Sequence, residues 1–499
     1  MPQKKTIKIV LSIALLTVIG WGINYARFSF PIISGYNAKI MCSGVFLAGR
    51  DEKQILKQDL GYFPLNLASV KVNYKDSTVS ASVLGLAKKK AIYIKGAGAI
   101  LVNEISEKDI RNHPFNRPNF INQQKVNWPQ GDRDTITNFN EVDSNELSRI
   151  ASDAFSEDTR VAKGSKVSQV SGASRSSVVP QRLKLSSLPK QGQQKKFVEP
   201  KGTRALIILY KGHIIKELYA AGFTRTTPLL GWSMTKSVFS TLIGILCKDG
   251  KLNLNKPAPV PEWVSTKDPR HSILLINLLQ QNSGLNFEEI YSRHSDATEM
   301  LFEKADMAHF TAEHSLQRRP GKLFYYSSGN VNILSKILRD KLGDQNYYTF
   351  PYQNLFYKLG MYHSTLEPDA SGTFVGSSYM YATARDWARF GLLYYNSGII
   401  GTDTLIANNY YSQSIAPSPS AKLGQYGFLF WLNRGETGKP QNRKLHHVPT
   451  DAFYADGFEG QIICIIPSKN LIVVRLGLNP GGGFNADELV SSIIRTIHN

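Results

Sequence analysis

Cysteine is scarce in this chain: only Cys42, Cys247 and Cys464 occur in 499 residues. Three thiols cannot build a disulfide framework, although one pair stays open. Cys247 falls in an apolar helical stretch and Cys464 in an apolar strand, so both read as small core residues. Zinc-binding spacing is also missing. No H-x-H or H-E-x-x-H occurs, and the one adjacent pair, His446-His447, reads as an exposed loop. Neither a metal nor a cofactor is expected. The serine-elbow pattern G-x-S-x-G fails at its last position in Gly231-Trp-Ser-Met-Thr235, which disfavours an α/β-hydrolase.

Acidic residues are in short supply, 39 against 59 lysines and arginines, for a formal net charge of +20. Much of that imbalance is local. From Arg160 to Lys196 there are nine basic residues and no acid, interleaved with Ser, Gln and Gly. Such a stretch cannot build a core and reads as a linker or surface insertion. A solvated loop is one reading; contact with lipid headgroups or anionic cell-wall polymers is the other. No nucleic-acid motif accompanies the charge, so no nucleic-acid partner is expected. With 42% hydrophobic residues the chain as a whole is globular. Its length implies more than one ordinary core.

Only one long apolar run is present. Lys4, Lys5 and Lys8 precede Ile9 to Ile23, which is interrupted only by Ser12, Thr17 and two glycines. A basic flank before an apolar core marks a secretory signal or an uncleaved anchor. Asn24-Tyr-Ala26 lacks a small-x-small cleavage pattern, and Cys42 lies too far downstream for a lipoprotein cysteine. The expectation is a signal anchor over 1–24 crossing the inner membrane of a cell envelope once, with the rest on the periplasmic or extracytoplasmic side.

Residues 25–150 form a small β-rich region. Val70–Tyr74, Ser77–Val83 and Lys90–Ile94 alternate apolar and polar side chains, as short strands do. The basic linker occupies 151–202. The main domain, 203–499, opens with Ala205–Tyr210, a Lys211-Gly212 turn and His213–Tyr219, a hairpin. A mostly helical middle follows. A second hairpin, Ile462–Ile466 and Leu471–Leu476 about the turn residues Pro467–Asn470, lies near the end. Paired in one antiparallel sheet and flanked by helices, these hairpins make an α+β fold.

The chemistry resides in Ser233-Met-Thr-Lys236, at the head of an apolar stretch holding Val238, Phe239, Leu242, Ile243, Ile245 and Leu246. On a helix, positions i and i+3 share a face, so the Ser233 hydroxyl and Lys236 amine adjoin. A serine needs a neighbouring base to become a nucleophile, and burial lowers an amine toward that role. The start of a buried helix also favours a developing oxyanion. S-x-x-K alone is weakly specific: Ser187-Leu-Pro-Lys190 fits it inside the basic linker.

Two further stretches supply context: Arg319 to Leu338, containing Tyr326-Ser327-Ser328, and Ala455-Asp-Gly-Phe-Glu-Gly-Gln461. With Leu278-Leu-Gln-Gln-Asn-Ser-Gly-Leu285 between the motifs, the chain resembles the β-lactamase and penicillin-binding-protein superfamily of serine hydrolases, whose S-x-x-K pair is well described. The leading Tyr of the second motif is similar to the branch of class C β-lactamases, esterases and 6-aminohexanoate-dimer hydrolases. The stretches Thr227–Ser237, Asp369–Ser378 and Tyr381–Leu393 resemble the last of these.

The resemblance covers about Thr203 to the C-terminus and implies a β-lactamase/transpeptidase-like fold. It implies Ser233 as nucleophile, forming an acyl-enzyme, with Lys236 and Tyr326 sharing proton transfer. That role requires the Tyr326 phenol to be lowered by a nearby ammonium. The oxyanion hole would combine the Ser233 N–H with one from the strand Ala455 to Phe458, with Phe458 preferred and Gly457 beside it. Two departures matter. Ala455 stands where β-lactamases carry a Lys or His for the substrate carboxylate, and Ser328 replaces the Asn that holds a β-lactam amide. Both favour esters or amides of a small substrate over β-lactams. The alternatives are a non-catalytic binding protein on the same fold, and a weak β-lactamase or D-amino-peptide hydrolase.

Overall fold

The computed structural model describes residues 2–119, 126–133, 136–155, 202–436, 438–439, 441–480 and 484–498. The basic stretch, with Ser187 and Lys190, lies outside them.

A six-stranded antiparallel sheet organises the main domain. Its strands are β5 (Thr203–Tyr210), β6 (His213–Tyr219), β7 (Trp431–Leu432), β8 (Phe453–Gly457), β9 (Gln461–Ile466) and β10 (Leu471–Gly477), in the order β7-β8-β9-β10-β5-β6. The first and last hairpins meet through β10 and β5, with Ile472 opposite Leu209 and Val474 opposite Ile207. β5, β9 and β10 are buried at every position because both faces are covered. Ile207, Leu209, Ile463, Ile465, Ile472 and Val474 face one core. Leu206, Ile208, Ile462, Cys464, Leu471 and Val473 face the other.

The inner face carries α3 (Thr235–Lys248), α5 (Ser328–Leu342) and α6 (Ala384–Tyr395). Every residue of α3 from Thr235 to Leu246 is buried, so its apolar stretch is a core helix. The outer face is covered by α7 (Ala486–Arg495) and by α2 (Ser144–Asp153), which precedes the basic stretch in sequence.

Ahead of this domain, β1 (Ala68–Asn73), β2 (Thr78–Val83), β3 (Leu86–Ile94) and β4 (Gly98–Leu101) form a four-stranded antiparallel meander. It packs against α1, one helix running from Pro2 to Cys42. Val10 to Leu16 lie exposed on α1, whereas Ile33, Ala38, Ile40, Met41 and Cys42 are buried. Their core includes Val79, Ala81, Ala91 and Ala99 of the meander. It also takes in Met300, Leu301 and Phe302 of α4 (Asp296–Glu303), together with Trp232. Lys39 is fully buried there. It is ion-paired with Glu367 and donates to the Ala99 carbonyl at 2.7 Å, while Ser43 Oγ donates to Glu367 at 2.9 Å. Three segments distant in sequence are thus tied by one carboxylate.

Candidate active site

Ser233 sits in a single 3-10 turn, Trp232–Met234, that leads into α3. It is partly exposed while Trp232, Met234 and Lys236 around it are buried. Lys236 Nζ donates to Ser233 Oγ at 3.0 Å, to Ser328 Oγ at 3.1 Å and to the Ser377 carbonyl at 2.7 Å. Those three bonds use all three ammonium hydrogens. Burial lowers the amine to about 8, against an opposing pull from Glu289. Two of the expected groups, nucleophile and base, are therefore in hydrogen-bond contact, and the base is tuned toward neutrality.

Tyr326 arrives from the turn before α5. The stretch from Leu278 to Leu285 holds that turn in place. Gln281 accepts from the Ser327 N–H at 2.6 Å and from Asn330 Nδ2 at 3.2 Å, and Ser283 Oγ donates to Asn330 at 2.8 Å. The Tyr326 ring stacks on Trp431 with centroids 5.5 Å apart, and Lys236 Nζ lies 4.9 Å from its centre. Burial and then the charge of Glu289 raise the phenol above its ordinary value, while a hydrogen bond with Ser233 pulls it down. This differs from the lowered phenol that a base would require. The site is too enclosed, and a carboxylate too near, for a phenolate to be favoured.

Glu289 is a residue at the site that sequence reasoning missed. Its Oε1 accepts from Ser328 Oγ at 2.6 Å and from Tyr291 OH at 2.5 Å, and its Oε2 from the Ser328 N–H at 2.8 Å. Ser328 thus links Lys236 to a carboxylate instead of leaving an amide in the site. Glu289 stands in a loop between Leu285 and α4, with no spacing that relates it to Ser233.

The strand edge expected to supply an oxyanion donor runs beside the nucleophile turn. Gly457, the last residue of β8, comes so close to the Gly231 carbonyl that a Cβ there would lie 2.2 Å from its oxygen. Only glycine permits this approach. Phe458 follows, its ring edge-on to Trp232 at 5.8 Å and stacked with Tyr291 at 6.4 Å. Backbone strain flanks both expected donors. Trp232, just before Ser233, has φ +48°, and Glu459, just after Phe458, has φ +63°. Such conformations cost a bulky residue about 1–3 kcal/mol and need external support. Tyr62 OH supplies some, donating to Glu459 at 2.8 Å, and Trp232 bonds the same carboxylate, which burial raises to about 7. Ala455 is buried in β8, and its neighbour Asp456 pairs with Lys444 at 2.8 Å. Ala455 itself thus brings no charge to this part of the strand.

Metal-type ligands converge elsewhere. Glu262, His309 and Glu313 bring ligand atoms within 4.8 Å of one another, but His309 is bound to Glu262 at 2.7 Å as a surface ion pair. His447 is exposed and contacts Asp487 at 2.6 Å.

A family model described as beta-lactamase matches residues 200–486. The curated 6-aminohexanoate-dimer hydrolase of Paenarthrobacter ureafaciens is 22% identical over 301 residues, covering 56% of this chain and 73% of that protein. Among solved structures, EstCE1, described as a hydrolase with promiscuous acyltransferase activity, is similar at 14% identity. Its TM-score is 0.47, over 59% of this chain and 93% of that one. A penicillin-binding protein from Bacillus halodurans is similar at 17% identity with a TM-score of 0.45, over 59% of this chain and 96% of that one.

Proposed function

Because the chain belongs to the beta-lactamase family, we propose that it is a serine hydrolase cleaving ester or amide bonds of a small substrate through an acyl-enzyme on Ser233. Its fold is the β-lactamase/transpeptidase-like one, an antiparallel sheet with a helical part on its inner face. The observation that carries the proposal is the 3.0 Å contact between Ser233 Oγ and Lys236 Nζ, whose amine is lowered to about 8.

In its neutral form Lys236 takes the proton of Ser233 as the oxygen attacks the substrate carbonyl. The ammonium then formed is held by Ser328, the Ser377 carbonyl and, through Ser328, Glu289. The oxyanion is received by the N–H groups of Ser233 and Phe458, with Gly457 permitting the approach. Tyr326 stays protonated and gives its proton to the leaving alcohol or amine, and Lys236 replaces it. Water then attacks the acyl-enzyme, releasing the carboxylic acid and restoring the Ser233 hydroxyl.

We also propose that residues 7–24 of α1 cross a membrane, with the hydrolase outside the cytoplasm. The lysine flank and the exposed apolar run from Val10 to Leu16 support this. A fluorophosphonate probe tests the enzyme reading. It should label the protein at Ser233 and leave the Ser233→Ala variant unlabelled; equal labelling of both would refute the assignment.

A further inference from the structure

The helix that carries the apolar run also forms part of the wall behind the nucleophile. Tyr36 of α1 stacks on Trp232, the residue before Ser233, with centroids 5.9 Å apart, and lies 5.6 Å from Phe302. Gly35 sits so tightly on α4 that a Cβ would lie 3.0 Å from that of Phe302. Lys39 and Ser43 fix the rotation of the helix through Glu367. The helix runs from Pro2 to Cys42, with Pro31 inside it between the apolar run and this clamp.

That continuity sets distances. At a rise of 1.5 Å per residue, Phe28 lies about 6 Å beyond Asn24 along the axis, and Tyr36 about 18 Å. The headgroup zone is about 5–8 Å deep on each side of the hydrocarbon core. Phe28 therefore falls at the level of the headgroups. There its ring contacts that of His294 at 4.9 Å. His294 belongs to the loop that carries Glu289 and Tyr291. The other end of this loop reaches Ser328 and stacks Tyr291 on Phe458. One loop thus spans from the headgroup level to the catalytic groups. Two aromatic residues at the site, Tyr291 of this loop and Phe458 after β8, remain 46% and 44% exposed. Tyr25, Arg27 and Phe28 give α1 the aromatic and basic belt of an interfacial segment.

We propose that the substrate is taken from the membrane: a long-chain amphiphilic ester or amide whose chain is drawn part-way out, its far end still in the adjacent leaflet, as its carbonyl enters past Tyr291 and Phe458. This rests on the serine-hydrolase reading and on the membrane span. The reaction is unchanged. The acyl group passes to Ser233 Oγ, the alcohol or amine leaves with the Tyr326 proton, which the serine proton replaces by way of Lys236, and water releases the acid. What the helix adds, by running from the apolar run into the clamp, is a set height of the site above the bilayer, raising the effective concentration of a leaflet-bound substrate.

The test uses the full-length protein in phosphatidylcholine vesicles, with two substrates. One is a soluble short-chain ester; the other is a long-chain fluorogenic ester dissolved in the vesicles. A flexible eight-residue Gly/Ser insertion between Asn24 and Tyr25 keeps the anchor but frees the domain. The inserted variant should match the native chain on the soluble ester and lose at least about tenfold on the vesicle-borne one. A fluorophore on Ser292→Cys, an exposed position of the same loop, should be quenched by headgroup-labelled lipid in the native chain and much less after insertion. Equal vesicle rates in both proteins, or equal quenching, would overturn the inference while leaving the hydrolase intact. Failure of the native chain on both esters would instead overturn the hydrolase reading beneath it.

Discussion

At Lys236, burial and a carboxylate act in opposite senses, and the balance leaves the amine at about 8. Below that value the amine is protonated and cannot accept from Ser233. Ester hydrolysis, measured as kcat/KM, should therefore rise with pH and level off above about 8. Glu289 raises the Lys236 value, so Glu289→Gln should move this limb toward lower pH, and a pH–rate profile of the two proteins decides it. An unshifted limb would mean that another group titrates. Charge at the site also bears on specificity. Glu289 and Asp456 both act on the Tyr326 phenol as negative neighbours, and Ala455 offers no cation. Short-chain esters should accordingly be hydrolysed well ahead of penicillins and cephalosporins, which carry a carboxylate. Cephalosporin turnover matching the best ester would contradict this. At this scale the sequence pointed to Ser233, Lys236, Tyr326 and Ser328, which lie together in the fold, because their motifs are local and ordered. Glu289 and Tyr291 stayed hidden, since their closeness to Ser328 is created by a loop fold and leaves no spacing to read.

Among the elements, the approach of β8 to the nucleophile turn is the tightest constraint. In Gly457→Ala the added carbon would meet the Gly231 carbonyl at 2.2 Å. Relief would have to move Phe458 away from Ser233. Overpacking of this kind costs about 1–3 kcal/mol of stability. Loss of one oxyanion donor lowers kcat by about a hundredfold or more. Steady-state kinetics beside a thermal melt should thus show a large fall in kcat with a modest fall in Tm. Retained kcat would remove Phe458 from the oxyanion hole. The β5–β6 hairpin and the apolar final strands were legible because turn residues and a strand period mark them directly. The strain at Trp232 and Glu459 was not. A positive φ at a bulky residue is imposed by the packing of Tyr36, Tyr62 and Trp232 around it, and no residue type announces it.

For the whole molecule, α1 joins the apolar run to the folded part. The apolar pattern ends at Ile23, yet the helix continues to Cys42 and exchanges an exposed surface for a buried one. That exchange was invisible in sequence, because apolar residues facing lipid and facing a protein core look alike. It has a consequence for truncation. Removing residues 1–24 should leave a folded soluble hydrolase. Removing 1–43 should not, because it deletes Ile33, Ala38, Ile40 and Met41 from a core and leaves Glu367 buried without Lys39. Stranding one member of a buried ion pair alone costs about 3–5 kcal/mol. Cooperative melting of the shorter protein, at the same temperature as the longer one, would show that α1 is dispensable.

The central claim is that Ser233 carries the substrate acyl group, and intact-mass spectrometry tests it most directly. After rapid acid quenching of the protein mixed with a slowly deacylating ester, the mass should rise by that of one acyl group, located on the peptide containing Ser233. Ser233→Ala should show no increase and no hydrolysis. An unmodified native mass during sustained turnover, or substantial turnover by Ser233→Ala, would contradict the account.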